Sequence, residues 1–208
     1  MDKILSTGSY GICLFSFEIL QDFLKKEKIR SKKLLEKFQK NDELYLATQK
    51  GGIWFPIAQI NSLGYVIKLD GYDLPFNDEW EQKMEYDGFN LEIKDALWIS
   101  DIGSFYTFNA DEYSGGEGTY KTPYGVTRYF SESERSYQTL DGHRLYSDFK
   151  YDVPSGKYIL SIKGYARRQL LERPNPNYGF LFSLTKVDEF DGFKNPREEI
   201  YNFNVAHM

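Results

Sequence analysis

The sequence predicts a mostly-β fold, an antiparallel β-sandwich with an N-terminal helical segment. Three observations predict it. The 208 residues include 17 Tyr and 16 Phe, large flat side chains that suit a pleated, half-buried surface. An apolar period of 3–4 residues is confined to residues 17–40. From Asn41 onward the period falls to two, the spacing that sends alternate side chains to opposite faces of a strand. The length fits one domain over 1–208, with the helical segment at about 17–40, a β-rich body over 41–190 and a polar tail over 191–208. A chain of this size buries about 70% of its unfolded surface and needs no covalent staple.

Residues 9–17 (SYGICLFSF) fit either a strand or a helix entry. Ile19, Leu20, Phe23 and Leu24 then share one helical face, and Ser31 is placed to cap a second short helix striped by Leu34, Leu35 and Phe38. Leu44–Thr48 reads as a short strand, Gly51-Gly52 as a turn, and Ile53–Ile60 as a strand whose Pro56 suits a sheet edge. Tyr65–Leu69 has the apolar content of a central strand. Trp80, Gln82, Met84 and Tyr86 alternate into Asp87-Gly88, and Phe89, Leu91 and Ile93 alternate out, the pattern of a type I′ hairpin. A short helix opened by Asn77 and Asp78-Glu79 competes for the first arm.

Leu97–Phe108 is a strand region, and residues 109–125 lack any period and read as a long loop. A second hairpin is expected where Leu145–Val153 runs into Pro154-Ser155-Gly156 and Tyr158–Ile162 runs out. After a loop over 172–179 comes a strand at Phe180–Val187, and the polar tail from Asp188 is expected to be poorly ordered at its end.

Charge is distributed in opposed blocks. Residues 70–118 hold thirteen Asp and Glu against two Lys, a net of −11, whereas residues 25–40 hold eight Lys and Arg against two Glu, a net of +6. Fields of this kind select partners rather than folds. A pI near 5.2, with no stacking aromatics interleaved with the lysines (Phe38 belongs to the apolar stripe), speaks against a nucleic-acid partner, so the basic run reads as a solvated helix face. Cys13 is the sole cysteine. That excludes an intrachain disulfide and fits a reducing, cytoplasmic setting. No stretch approaches the length of a membrane helix, and no signal-peptide order is present at the N-terminus.

Catalytic vocabulary is sparse. His143 lies in a polar turn near Asp141 and Asp148 without an obvious nucleophile, and His207 is next to the last residue. Cys13 sits among apolar residues, where a thiol is packing material. Asp70, Asp73, Asp78 and Glu79 lack the spacing of a calcium loop. Trp54, Trp80 and Trp98 could line a sugar site, but any two of 31 acidic residues could be chosen as a glycosidase pair. No cofactor and no metal are expected, and the chain reads as non-enzymatic.

The segment DFKYDVPSGKYILSIKGYARR (148–168), followed by GFLFSLTKVD (179–188), resembles the C-terminal strands of the competence protein J family. The resemblance implies a small acidic β-protein that inhibits a nuclease. In type the chain is also similar to bacterial immunity proteins that neutralise nuclease toxins. The expected function is therefore that of an inhibitor or immunity-type protein binding a basic protein through an acidic face. The expected contacts are Asp70, Tyr72, Asp73, Asp78, Glu79, Tyr86, Asp87, Asp111, Glu112 and Tyr113. The alternative is a carbohydrate-binding module or glycoside-active enzyme of sandwich fold.

Overall fold

A computed structural model describes residues 2–122 and 125–208. Strands hold 40% of the residues and helices 18%, so the fold is mostly β as the aromatic content predicts. The strands are β1 (Lys3–Ser6), β2 (Gly11–Phe15), β3 (Trp54–Ala58), β4 (Gly64–Leu69), β5 (Trp80–Ile93), β6 (Leu97–Asp101), β7 (Gly118–Lys121), β8 (Thr127–Phe130), β9 (Glu134–Gln138), β10 (Arg144–Tyr151), β11 (Gly156–Arg167) and β12 (Tyr178–Val187). Three helices, α1 (Phe17–Lys26), α2 (Leu34–Lys40) and α3 (Asp42–Lys50), lie between β2 and β3.

The expected antiparallel sandwich is replaced by one mixed sheet that nearly closes into a barrel. Its main path runs β3-β2-β6-β10-β1-β4-β12-β11-β5, and the β7–β8–β9 meander hangs from β10. The β1–β10 and β4–β12 pairs are parallel, and the other ladders are antiparallel. At the closure, the Glu92 amide donates to the Gly52 carbonyl at 2.8 Å. The Phe55 and Phe89 rings meet there at 4.7 Å.

Period two decides the two cores. Ile12 and Leu14 of β2, Leu97 and Ile99 of β6, and Phe55 and Ile57 of β3 face the barrel interior. Their alternates Cys13, Phe15, Trp98 and Trp54 face outward, beneath Leu20 and Phe23 of α1 and Phe38 of α2. Both faces of β2, β3 and β6 are thus covered, which explains their nearly unbroken apolar sequences.

Several local expectations differ from the structure. Leu97–Phe108 is a strand only to Asp101 and then a 3₁₀ turn over Ile102–Phe105, and Ser31 accepts from the Lys33 amide at 3.1 Å without capping α2. Leu44–Thr48 is not a strand: Asn41 Oδ1 accepts from the Leu44 amide at 3.0 Å, and the acidic pair Asp42 and Glu43 fills the first turn of α3. Asp87-Gly88 does not reverse the chain. Leu160 pairs with Phe89 and Ile162 with Tyr86, so the dipeptide forms a bulge in one long strand, with Gly88 at φ 88°. Strand β11 offers partners on both sides of that bulge, and continued pairing satisfies more backbone groups than a turn would.

The second expected hairpin also fails as a pairing. Strands β10 and β11 both exist, but Pro154-Ser155-Gly156 carries the chain between places separated by β1, β4 and β12. Finally, the tail returns to the barrel, where Phe203 and Val205 are buried with the core. Of the long loop expected over 109–125, the described part contains a 3₁₀ turn, Ala110–Glu112, and strand β7. Residues 123 and 124 lie outside the described residues.

Candidate partner-binding surface

Strand β4 ends at Leu69, and the ten residues that follow form a loop held at both ends. Asp73 anchors the first half. Its carboxylate accepts from the Leu69 amide at 2.9 Å and the Tyr151 hydroxyl at 2.8 Å, and Lys3 Nζ lies 3.3 Å away. Burial and this carboxylate push the Tyr151 phenol upward, so it stays a donor. The Tyr72 hydroxyl donates to the Asp152 carbonyl at 2.9 Å. Phe76 anchors the second half by stacking on Tyr165, with ring centroids 4.4 Å apart. Lys68 Nζ donates to the Leu74 carbonyl at 2.7 Å between the two anchors.

The pinned loop presents its middle to solvent. Leu74 is 83% exposed and Tyr72 47%. Asp70 and Asp78, both exposed, flank them without a cationic partner among the described residues. An apolar centre with an acidic rim on a rigid backbone can bury area at little ordering cost.

The other expected contacts do not join this surface. Glu79 pairs with Arg167 at 2.8 Å, and the Asp78 carbonyl accepts from Arg168 Nε at 3.0 Å, so a basic pair borders that end. Tyr86 accepts from the Asn202 amide at 3.1 Å and packs on Tyr201 and Phe203. Asp87 pairs with Lys194 at 3.0 Å. Asp111 is exposed on a different part of the molecule, while Glu112 and Tyr113 are buried.

The field of the acidic block is also weaker than its sequence count. Five cations from outside residues 70–118 come within 4 Å of it: Lys3 on Asp73, Arg128 on Glu112, Lys163 on Glu85, Arg167 on Glu79 and Lys194 on Asp87. Only folding brings them there. The concentrated negative charge that remains near an apolar centre is that of Asp70 and Asp78.

Sequence reasoning missed a buried polar layer on the outer face of the sheet. Arg135 of β9, Asp148 of β10, Ser100 of β6 and Cys13 of β2 are neighbours in register. Asp148 accepts from the Tyr113 hydroxyl at 2.6 Å and the Ser104 hydroxyl at 3.4 Å, and it is also bonded by Ser147. Arg135, 1% exposed, lies over the Trp98 ring at 4.3 Å. Its Nε and Nη2 have no partner among the described residues.

Beside this layer, burial and the Asp148 charge raise Asp101 to about 7. Glu112 accepts from Tyr120 at 2.6 Å and faces Arg128 at 3.8 Å. These residues come from separated segments spread between Cys13 and Asp148, and no local spacing signals them. The layer fixes residues 104–113 over the sheet and thereby explains why Glu112 and Tyr113 point inward.

His143 is exposed beside Asp141 at 3.7 Å, in a turn distant from the buried layer in register. Burial raises the Cys13 thiol well above its ordinary range, opposite to what a nucleophile needs. No cluster of three metal-binding side chains is present among the described residues. No helix among them is long and apolar enough to cross a membrane. All three Trp are buried, which removes the exposed row of Trp that a sugar platform would use.

No family model, curated protein or solved structure matches the chain.

Proposed function

We propose that this protein is a non-enzymatic inhibitor that captures a basic protein, a nuclease toxin domain being the best fit, through the 70–79 loop. The observation that carries the reading is the exposed pair Tyr72 and Leu74 between the carboxylates Asp70 and Asp78 on a doubly anchored loop. A cationic cleft that binds substrate phosphates would attract these carboxylates and speed encounter, while the leucine and tyrosine supply the desolvated centre. The resemblance of residues 148–188 to a nuclease-inhibitor family points the same way.

The test is a growth assay in which the C-terminal domain of the protein encoded directly upstream is expressed with and without this chain. Rescue accompanied by a co-purifying complex supports the reading. The double variant Asp70→Lys and Asp78→Lys should then lose rescue and slow association at least tenfold, because two attractive charges become repulsive. Rescue that survives this double reversal would refute the loop as the contact surface.

A carbohydrate-binding module is the second reading, favoured by a groove of about 910 Å³ between β3 and the tail segment 196–203. Exposed Tyr10 and Tyr106 flank it, with Gln39 and Gln59 on its walls. A glycan-array signal that disappears in Tyr10→Ala and Tyr106→Ala would favour that reading over the first.

A further inference from the structure

The basic run 25–40, unused by the proposed binding loop, shapes a cavity of its own. Helix α1 ends at Lys26 and the chain folds back. The Lys28 amide donates to the Lys25 carbonyl at 3.1 Å, and the Ile29 amide to the Leu24 carbonyl at 2.8 Å. Lys28 takes a left-handed φ of 55° to make this turn, a conformation that costs a non-glycine residue energy and persists only when the surroundings enforce it. Across the gap, the Phe108 amide donates to the Lys32 carbonyl at 2.7 Å and ties the turn to residues 108–111.

Between the two segments lies a cavity of about 520 Å³, within the roughly 300–1,000 Å³ of small-molecule sites. Its floor is apolar, formed by Leu24, Ile29 and Phe108. Its rim carries Lys25, Lys28, Arg30 and Lys32, against one lining carboxylate, Asp111. Lys28, Arg30 and Lys32 have no ion-pair partner among the described residues, and Lys25 has only Asp22 at 3.9 Å. Neighbouring like charges around an apolar hollow repel one another, and an anion seated among them relieves that repulsion. A neutral guest would leave it in place. An inorganic anion would leave the floor wet, and a nucleic acid would meet the net −5 of the whole chain.

We propose that this cavity binds a small soluble organic anion. Its carboxylate, sulfonate or phosphate head would sit among Lys28, Arg30 and Lys32, and its hydrocarbon or aryl body would cover Leu24, Ile29 and Phe108. The site is separate from the 70–79 loop and stands independently of the partner proposed for it.

The 208-residue chain would be titrated with 8-anilino-1-naphthalenesulfonate, followed by its fluorescence. N-phenyl-1-naphthylamine, which has the same rings without the sulfonate, would serve as the neutral control. The expected result is one saturable site, with the neutral analogue bound at least about tenfold more weakly. Arg30→Glu with Lys32→Glu should weaken the sulfonate about tenfold or more, and Lys28→Glu alone should weaken it in the same direction. All three positions are exposed, so circular dichroism should be unchanged. Monomeric dodecanoate should displace the dye, and phosphatidylglycerol vesicles should neither displace it nor pellet the protein. Absence of a saturable site, equal affinity for the neutral analogue, or unchanged affinity in both charge variants would overturn the proposal. Vesicle binding in preference to monomeric dodecanoate would also overturn it, by assigning the patch to a membrane surface.

Discussion

Replacement of Asp148 by Ala should be among the most damaging single changes in the molecule, and the buried layer shows why. The carboxylate is fully buried and accepts from three hydroxyls, those of Tyr113, Ser104 and Ser147. It is also the register neighbour of Arg135, a buried guanidinium with two nitrogens unpartnered among the described residues. Each orphaned hydroxyl would cost roughly 1–3 kcal/mol, though rotation lets some hydroxyls find each other. Asp148 also favours the charged Arg135 guanidinium through space, without the direct contact of an ion pair, so this coupling is worth less than the ~3–5 kcal/mol of a broken buried pair. The orphaned hydroxyls and the lost coupling together give an expected loss of about 4 kcal/mol. At this chain length each kcal/mol lowers Tm by about 2–4 °C, so the variant should melt roughly 10 °C lower.

Urea unfolding followed by the fluorescence of the three buried Trp residues would measure the change directly. The midpoint should fall with no change in slope. The double variant Asp148→Ala with Arg135→Met carries the discriminating result. Removing both charges should recover about 2 kcal/mol relative to Asp148→Ala alone, because the stranded guanidinium is gone. A single-variant loss below about 1 kcal/mol, or a double variant less stable than the single, would refute the charge-coupling argument.

Three further outcomes are expected. Asp101 has a folded pKa of about 7, above its ordinary value of 3.8. The native state therefore binds the extra proton between those values, so this group's contribution is fully present below the unfolded pKa and is lost as pH rises through about 7. Asp101→Asn should flatten that part of the stability–pH curve, and an unchanged curve would show that another group titrates. Gly52 has a φ of 63°, and a Cβ there would lie 2.7 Å from the Glu92 amide nitrogen. Gly52→Ala should thus open the barrel closure at a cost above about 1 kcal/mol, read as faster amide exchange at Glu92. Phe203→Ala should cost about 3–5 kcal/mol by urea unfolding, because the buried ring packs on Phe55, Tyr86 and Phe89, whereas a loosely attached tail would tolerate it.

Local chemistry carried much of the fold and little of the site. The strand content and the inward sets of β10 and β11 follow from alternation that only one sheet face can satisfy. The 17–40 helices likewise follow from their apolar stripes. Asn41 followed by Asp42-Glu43 was a readable helix start, and the period-two reading of Leu44–Thr48 overrode it. Pairing was not legible. The Asp87-Gly88 signal suits a turn or a bulge equally, and the long partner strand β11 decided between them.

The tail's order depended on Phe55 and Phe89, on which Phe203 packs and which meet only at the closure. The same distance in sequence hid the cations that neutralise the acidic block and the Arg135–Asp148 layer that turns Glu112 and Tyr113 inward. By itself the sequence determined which faces of its strands and helices are apolar, because side-chain periodicity is a property of the local backbone. Tertiary structure alone decided which strands pair, which charges stay free at Asp70 and Asp78, and where cavities form. Each of these depends on groups far apart in the chain that meet only when the sheet closes.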